Sequence, residues 1–402
     1  MASFFDDDDD DPSLVVPLIT CDGGTYSVNE DTLRWISEKK TSFGIVACAG
    51  RYRTGKSFLL NRLAKVPSKR GFGVGDSVQA CTKGLWIYKS WFKTSDANKD
   101  VLFMDTEGID ALDANDTHDV RIFTLALLLC STFLYNSVGA IDETAMQTLS
   151  LMTRVTNNVK VHSQTEGQSA SLAEHMPAFF WILRDFSLRL VDKSGKKLST
   201  DEYLEEALQT TDPQKDAVRG AIRESFKNRS LVTLPRPISD DTQITQLESC
   251  PKSVTQKFQT ELNKLRERLC AETRAFMCDG VAATGSMYAV LCRHLAHVVQ
   301  TGAVPVMRDS WTLMAVAHAK DLKETCLEMM DAKLSEQEPQ PEAELKVTLA
   351  KLRADVLAHF DAKSMQPIDH ETRTSLEQAL TRRTNDASAH LTRDLANDAE
   401  LV

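Results

Sequence analysis

The sequence contains nine cysteines but no C-x-x-C pair. Closely paired cysteines are typical of zinc sites and redox motifs, and a chain of 402 residues does not need disulfides for stability. We therefore interpret the cysteines as mostly core residues and expect a reducing, cytoplasmic setting. The length and the ordinary proportion of charged and apolar residues predict a globular protein of two domains.

A long hydrophobic run is also absent. The most apolar stretch extends from Ile122 to Leu134, contains three polar residues, and is shorter than the ~20 residues that a bilayer requires. We interpret it as core, with a helix up to Leu129 and a strand from Thr132 to Tyr135, because β-branched and aromatic residues collect in its second half. The sequence therefore predicts no transmembrane helix here.

Basic residues are not in excess, since the formal net charge is −10. A general nucleic-acid binder needs a concentrated basic face, so this class is excluded and only a local basic patch stays open. The acidic run from Asp6 to Asp11 repels itself and buries nothing, which predicts a disordered tail over residues 1–13. Binding of metal or basic partners is the alternative for this run. No hydrophobic signal peptide precedes it.

The chain does contain the pattern G-x-x-x-x-G-K-[ST], which cradles nucleotide phosphates. The apolar run from Phe43 to Ala47 before it predicts a buried strand, and the leucines after it predict a helix, which is the context that the motif requires. A chance match in a surface loop is the alternative. The predicted nucleotide-binding residues of the loop are Gly50, Arg51, Tyr52, Arg53, Thr54, Gly55, Lys56, Ser57 and Phe58.

The residue types in this loop suit phosphate chemistry. Gly50 and Gly55 allow the backbone N–H groups to approach the phosphates, and the N-terminus of the next helix adds partial positive charge. Lys56 is expected to reach the β- and γ-phosphates. The Ser57 hydroxyl is expected to bind Mg²⁺, because this cation prefers oxygen ligands.

A second motif follows the apolar run from Val101 to Met104, which predicts a buried strand. It ends in Asp105, a carboxylate placed to hold Mg²⁺ through water, and Gly108 allows its backbone N–H to approach a γ-phosphate. Glu107, between them, is a predicted catalytic residue. The hydroxyl of Thr82, in a polar loop upstream, is expected to complete the metal shell when a triphosphate is bound.

The usual guanine signature, Asn-Lys-x-Asp, is missing. The nearest approach, from Asn263 to Arg266, lacks the carboxylate. The apolar run from Phe179 to Leu183 instead predicts a strand that ends in Arg184 and Asp185. A carboxylate that accepts two hydrogen bonds from guanine would reject adenine, so we predict that this pair binds the base. A surface Arg-Asp pair is the alternative.

Together these motifs resemble those of the guanylate-binding proteins, large GTPases of the dynamin superfamily. The resemblance covers approximately residues 14–334 and includes the segment from Ala303 to Met307, where the family passes from its GTPase domain into a helical one. Atlastins are similar in the Arg-Asp motif but lack the Tyr-Arg-Thr sequence of the cradle and the Thr-Lys-Gly-Leu-Trp loop. The motifs that carry the resemblance are the cradle with Asn61 after it, Thr82-Lys83-Gly84-Leu85-Trp86, Asp105-Thr106-Glu107-Gly108 and Leu183-Arg184-Asp185-Phe186.

The resemblance implies roles for particular residues. Arg53 is the family's internal finger, which turns onto the phosphates when two GTPase domains meet; pairing with a surface carboxylate is the alternative. The segment from Ser239 to Lys257 lies where the family's guanine cap contacts its twin, which implies a nucleotide-dependent homodimer. Ile109 stands where Ras-like proteins have a water-orienting glutamine, an absence that the family shares.

One departure from the family's pattern concerns the attacking water. The family typically has a serine two residues before the Mg²⁺ threonine, and here Ala80 occupies that position. The backbone carbonyl of Ala80 is left as the predicted catalytic group that holds the water, so the hydrolysis rate is open. Cleavage of GDP to GMP cannot be carried over from the family.

The sequence therefore predicts a mostly parallel P-loop GTPase sheet with helices on both faces over residues 14–302, followed by an all-helical segment over 303–402. In that segment apolar residues repeat along helix faces at Leu345, Leu349, Leu352, Val356 and Phe360, and again at Leu376, Leu380, Ala387, Leu391 and Leu395. These apolar stripes could pack against one another within the helical segment or form a surface that binds a partner. The sequence ends in Leu401 and Val402, so no lipid anchor is expected, although membrane association stays open.

The sequence is compatible with three functions. The first is a Mg²⁺-dependent GTPase that dimerises through its nucleotide face and transmits hydrolysis to the helices. The second is a weakly hydrolysing or non-hydrolysing GTP-switched scaffold, and the third is an ATP-dependent enzyme that uses the same cradle.

Overall fold

The structure is a computed structural model that describes residues 14–66, 70–73, 84–94, 99–106, 117–149, 159, 176–192, 194–238, 254–303 and 305–400. The strands of its large sheet are β1 (Val15–Asp22), β2 (Thr25–Val28), β3 (Phe43–Gly50), β4 (Leu85–Tyr88), β5 (Phe92–Lys93), β6 (Asp100–Thr106), β7 (Thr132–Val138), β8 (Ala178–Arg184) and β9 (Arg229–Thr233). Eight of these strands follow the order β2-β1-β4-β6-β3-β7-β8-β9, and β5 pairs with β6 outside this path.

The part of the sheet that bears the predicted motifs is parallel. Strands β6, β3, β7, β8 and β9 are neighbours and every pairing among them is parallel. Strands β1, β2 and β4 extend the sheet beyond β6 in antiparallel pairings. The predicted fold class is confirmed, and the antiparallel extension was not predicted from the sequence.

Both faces of the central strands are covered, which explains their continuous apolar sequences. All eight residues of β3 are buried. Because side chains alternate along a strand, Phe43, Ile45 and Ala47 enter one hydrophobic core while Val46 and Cys48 enter another. The sheet therefore separates two cores, each closed by helices.

The helices divide between the two faces. Helices α2 (Lys56–Leu63) and α7 (Gln256–Glu272) close the core that contains Val46. Helices α1 (Glu30–Ser37), α3 (Thr117–Leu128) and α8 (Gly285–Thr301) close the opposite core. A hairpin of β10 (Met277–Cys278) and β11 (Val281–Ala282) lies between α7 and α8. The other helices that precede α7 are α4 (Glu143–Thr148), α5 (Thr200–Ala207) and α6 (Pro213–Ser225).

The C-terminal helices α9 (Met307–Ser335), α10 (Glu342–Lys363) and α11 (His370–Glu400) pack against one another. Their shared core contains Val356, Phe360, Leu376 and Leu380. The predicted stripes therefore face the protein's own bundle over this part of the chain. The domain division at residue 303 stays a prediction, because the first half of α9 also packs on the core of the sheet.

Within the described ranges, no helix is both long enough and apolar enough to cross a membrane. The predicted acidic tail lies outside the described residues.

Candidate functional site

The phosphate loop connects the end of β3 to the start of α2, as predicted. Gly50, the last residue of β3, has a φ of +155° and lies so close to β7 that an added Cβ would be 2.1 Å from the Asn136 carbonyl oxygen. Gly55 precedes α2 in the left-handed conformation, with a φ of +77°. Only glycine adopts such a close approach and such a φ without strain. The two glycines of the motif are thus required by the backbone itself.

Side chains from β7, β8 and the loop bind the loop's carbonyl groups. The Nδ2 of Asn136 donates to the Thr54 carbonyl at 2.9 Å, and Nη1 of Arg184 donates to the Gly55 carbonyl at 3.2 Å. The Arg51 carbonyl accepts from the Thr54 hydroxyl at 2.8 Å and from the Lys56 ammonium at 3.3 Å. These contacts fix the direction of the peptide groups on either side of Gly55.

Lys56 and Ser57 occupy the first turn of α2, where the helix dipole places partial positive charge. Lys56 is buried. The Ser57 hydroxyl donates to Oδ2 of Asp105 at 2.6 Å. This bond joins the phosphate loop to the end of β6, so two of the three predicted metal ligands lie together.

Asp105 is fully buried at the carboxyl end of β6. Burial raises the pKa of this carboxyl group to about 6, although the Lys56 ammonium, the Ser57 hydroxyl and the Thr106 N–H each oppose the rise. At neutral pH the group is therefore an anion in a poorly solvated position, which favours a bound cation. The oxygen donors of Ser57 and Asp105 suit Mg²⁺. Among the described residues, no group of three or more His, Cys, Asp or Glu side chains could hold a metal ion.

The two residues of the predicted base motif have different environments. Arg184 is buried, and its guanidinium carbon lies 5.5 Å from the Phe58 ring centroid and 5.7 Å from that of Phe258. Burial lowers the pKa of Arg184, and Asp185 opposes this shift. Asp185 is exposed, in the left-handed conformation with a φ of +56°. Of the pair, only Asp185 is accessible to a base, while Arg184 contacts the phosphate loop.

Arg53 lies on the outer side of the loop. Its side chain is exposed, its φ is +61°, and its guanidinium carbon lies 5.9 Å from the Tyr52 ring centroid. The left-handed conformation is uncommon for a residue with a side chain and is found mainly at turns and functional sites. The loop therefore presents this arginine at the surface beside the cradle.

Four predicted residues lie outside the described part of the chain: Ala80, Thr82, Glu107 and Gly108. Sequence reasoning also missed two contributors, Asn136 and Phe258. The position of Asn136, a polar residue directly after the apolar run from Phe133 to Tyr135, could have indicated its role. The Asn263 to Arg266 segment lies in α7, where Arg266 donates to the Leu63 carbonyl at 2.9 Å. This contact stabilises the end of α2.

A parallel sheet with a G-x-x-x-x-G-K-S loop between a buried strand and a helix defines an α/β protein of the P-loop class. Residues 23–276 match the family described as guanylate-binding protein, N-terminal domain. The chain belongs to the guanylate-binding protein family.

Curated relatives agree with this assignment. Guanylate-binding protein 3 of Mus musculus is 32% identical over 302 residues, which cover 72% of this chain and 48% of the relative. Guanylate-binding protein 6 of Homo sapiens is 30% identical over 321 residues, covering 76% and 50% respectively. Guanylate-binding protein 2 of Mus musculus is 28% identical over 369 residues, covering 88% and 62%. The chain thus spans about half the length of the first two relatives.

Proposed function

We propose that this chain binds GTP with Mg²⁺ and hydrolyses it to GDP and phosphate. The observation that carries the proposal is the combination of a glycine-framed loop, a buried Lys56 at a helix N-terminus and the Ser57–Asp105 pair. A polyphosphate needs N–H donors, a fixed cation and a metal held by oxygens, and these three parts supply them. Membership of the guanylate-binding protein family supports the choice of guanine.

In this proposal each described residue has one task. Lys56 binds the β- and γ-phosphates, and Asp185 accepts hydrogen bonds from the guanine edge. Ser57 and Asp105 hold Mg²⁺, which neutralises charge on the phosphates when bound. Arg53 stabilises the charge that develops on the transferred phosphoryl group, as a guanidinium in cis. Thr82, Glu107, Gly108 and the Ala80 carbonyl keep their proposed roles from the sequence.

The proposal extends to assembly and movement. Two GTPase domains meet through their nucleotide faces, and the change passes to the C-terminal helices. The packing of α9 supports such coupling, because Met314 belongs to the core of the sheet while Leu322 belongs to the helical core. Asp321 of the same helix accepts a hydrogen bond from the Thr284 hydroxyl at 2.9 Å and contacts the Ser286 hydroxyl at the start of α8. A shift of α9 must therefore disturb contacts with both parts of the chain.

Phosphate release tests this function directly. Purified protein is assayed with GTP and with ATP, each over a range of protein concentrations. We expect release with GTP, little with ATP, and a specific activity that rises with protein concentration because assembly activates hydrolysis. Light scattering with GDP and aluminium fluoride checks the dimer, and a monomer in every nucleotide state would remove that part of the proposal.

The site is tested by Lys56→Ala, with the exposed Lys227→Ala as the matched control. The first change should abolish triphosphate binding, because it removes the cation fixed beside the cradle, and the control should bind normally. Retained micromolar GTP affinity in Lys56→Ala would contradict the proposed site.

The competing scaffold function rests on Ala80, which stands where the family typically has a serine. GTP binding and dimerisation without phosphate release would establish it. In that case Ala80→Ser should restore hydrolysis without changing affinity, because the added hydroxyl acts on the attacking water.

A further inference from the structure

Asn136 is a polar residue in a fully buried position on β7. Its Nδ2 donates to the Thr54 carbonyl at 2.9 Å, whereas its Oδ1 is buried without a hydrogen-bond partner among the described residues. Burying an amide in this way costs free energy that an apolar side chain of the same size would avoid. Core stability therefore does not explain the residue.

The same residue contacts the phosphate loop at two points. Asn136 pairs with Gly50 in the parallel register, and its carbonyl oxygen lies 2.1 Å from the position that a Cβ of residue 50 would take. Its side chain binds the Thr54 carbonyl, four residues further along the chain. One residue of β7 thus contacts both the beginning of the loop and its last turn.

The Thr54 contact sets the direction of a donor group. A trans peptide is planar, so its C=O and N–H point in opposite directions. Because the Thr54 carbonyl points to Asn136, the Gly55 N–H points away from β7. The Gly55 carbonyl is held by Arg184 in the same manner, which turns the Lys56 N–H away from β8.

We propose that Asn136 is a positioning residue, whose side-chain amide holds the Thr54–Gly55 peptide so that its N–H is available to a phosphate. The part that concerns affinity rests on the proposed function, because the ligand there is GTP. The part that concerns loop geometry needs no nucleotide.

Two variants separate positioning from stability. Asn136→Leu has nearly the same size and removes both the donor and the unpaired oxygen. Asn136→Asp keeps the shape and places a carboxylate oxygen against the Thr54 carbonyl and near the phosphates. The control is Ser137→Ala: Ser137 is the next residue of β7, points to the other face, and accepts from Nε1 of Trp181 at 2.8 Å. The Ser137→Ala substitution removes a buried hydrogen bond on the same strand and does not affect a contact with the loop.

The first measurement uses nucleotide-free protein. Trypsin cleaves after arginine, and Arg51 and Arg53 lie inside the loop. Loss of one hydrogen bond should make the loop open about fivefold more often. We therefore expect cleavage after these two residues to be about fivefold faster in Asn136→Leu than in Ser137→Ala. Equal cleavage rates in these two variants would overturn the proposed contact.

The second measurement compares melting temperature with GTP affinity. Asn136→Leu should melt at or above the wild-type temperature yet bind GTP roughly five to ten times more weakly, as the loss of one oriented donor predicts. Asn136→Asp should bind still more weakly, while both keep the wild-type preference for GTP over ATP because Asp185 is untouched. Ser137→Ala should lose melting temperature and keep its affinity.

These outcomes separate the inference from the proposed function. If affinity simply follows melting temperature across the three variants, Asn136 is structural and the inference fails. If wild-type protein binds no GTP, the proposed function fails, and the trypsin comparison still decides whether Asn136 holds the loop.

Discussion

The hydroxyl of Ser57 lies 2.6 Å from Oδ2 of Asp105, and this bond joins residues 48 positions apart in the chain. It forms because β3 and β6 are parallel neighbours in which Cys48 pairs with Asp105. The carboxyl ends of both strands therefore meet at one edge of the sheet, where ligands bind in open α/β folds. The pair gives the proposed Mg²⁺ site its two described oxygen donors.

The first prediction concerns this pair. Ser57→Ala should weaken GTP binding by about tenfold or more in the presence of Mg²⁺ and have little effect in EDTA, because the hydroxyl acts through the metal. Ser57→Thr retains the oxygen and should bind like wild type. Calorimetry with Mg²⁺ and with EDTA measures the GTP affinity in the two conditions. An equal loss in the two conditions would show that Ser57 does not act as a metal ligand.

The second prediction concerns base choice at the exposed Asp185. Asp185→Asn should weaken GTP and favour XTP, because the 2-oxo group of xanthine accepts a hydrogen bond that an amide donates. Each mismatched hydrogen bond should cost about 1 to 3 kcal/mol. Competition binding of GTP, XTP and ATP measures the preference.

A matched control is Asp192→Asn, seven residues further along the chain. Oδ1 of Asp192 accepts from the backbone N–H groups of Ser194 and Lys196, and an asparagine retains this oxygen. We expect no change in base preference. An unchanged preference in Asp185→Asn itself would move the base site elsewhere.

The sequence predicted the parallel centre of the fold well, for a physical reason. Strands buried on both faces, such as β3, β6 and β8, have continuous apolar runs through their centres, and such runs are visible without knowledge of their neighbours. The antiparallel extension is different. Strand β2 has four residues of which one is buried, and β1 contains Pro17 and a register shift beside it. Short and irregular strands leave little periodicity to detect.

The site shows the same division between local and long-range information. The glycines, Lys56 and Ser57 were predicted because their spacing is a local property of the loop. Asn136 was not, because its contact with Thr54 spans 82 residues and depends on strand register. The direction of Arg184 toward Gly55 depends equally on the pairing of β7 with β8. A dipeptide at the end of a strand does not show which of its side chains enters the protein.

The third prediction concerns pH and the buried Asp100 at the start of β6. Burial alone would raise the pKa of Asp100, but hydrogen bonds from the Lys39 and Lys93 ammonium groups outweigh it and lower the pKa below the ordinary value. A lowered carboxyl pKa contributes stability above the unfolded-state pKa of ~4 and loses it as pH falls through the folded-state pKa. The free energy of unfolding should therefore fall below about pH 4.

Asp100→Asn tests this in urea unfolding curves from pH 3 to 7. It should lower the free energy of unfolding at pH 7 by roughly 1 to 3 kcal/mol and flatten the acid decline. The control is Asp31→Asn, whose exposed pair with Arg34 should contribute less than about 1 kcal/mol. The same acid decline in wild type and Asp100→Asn would assign the pH dependence to other carboxyl groups.

The fourth prediction tests the mechanism at Arg53. If this arginine acts on charge that develops only during phosphoryl transfer, Arg53→Ala should lower kcat by ~10³-fold or more while nucleotide affinity stays within a few fold. Arg53→Lys should recover little, because an ammonium lacks the planar fork of a guanidinium. Single-turnover hydrolysis at saturating protein measures the chemical step, and calorimetry measures the affinity.

Two controls separate chemistry from loop distortion. Arg53 has a φ of +61°, a conformation that glycine adopts without strain, so Arg53→Gly should leave the loop geometry unchanged or less strained and still lose kcat. Arg34→Ala removes an exposed arginine of α1, outside the proposed site, and should retain the wild-type rate. Equal single-turnover rates for wild type and Arg53→Gly would mean that the arginine is structural. In that case the charge on the transferred phosphoryl group must be stabilised by Lys56 and the metal alone, and the proposed role of Arg53 as a finger in cis is wrong.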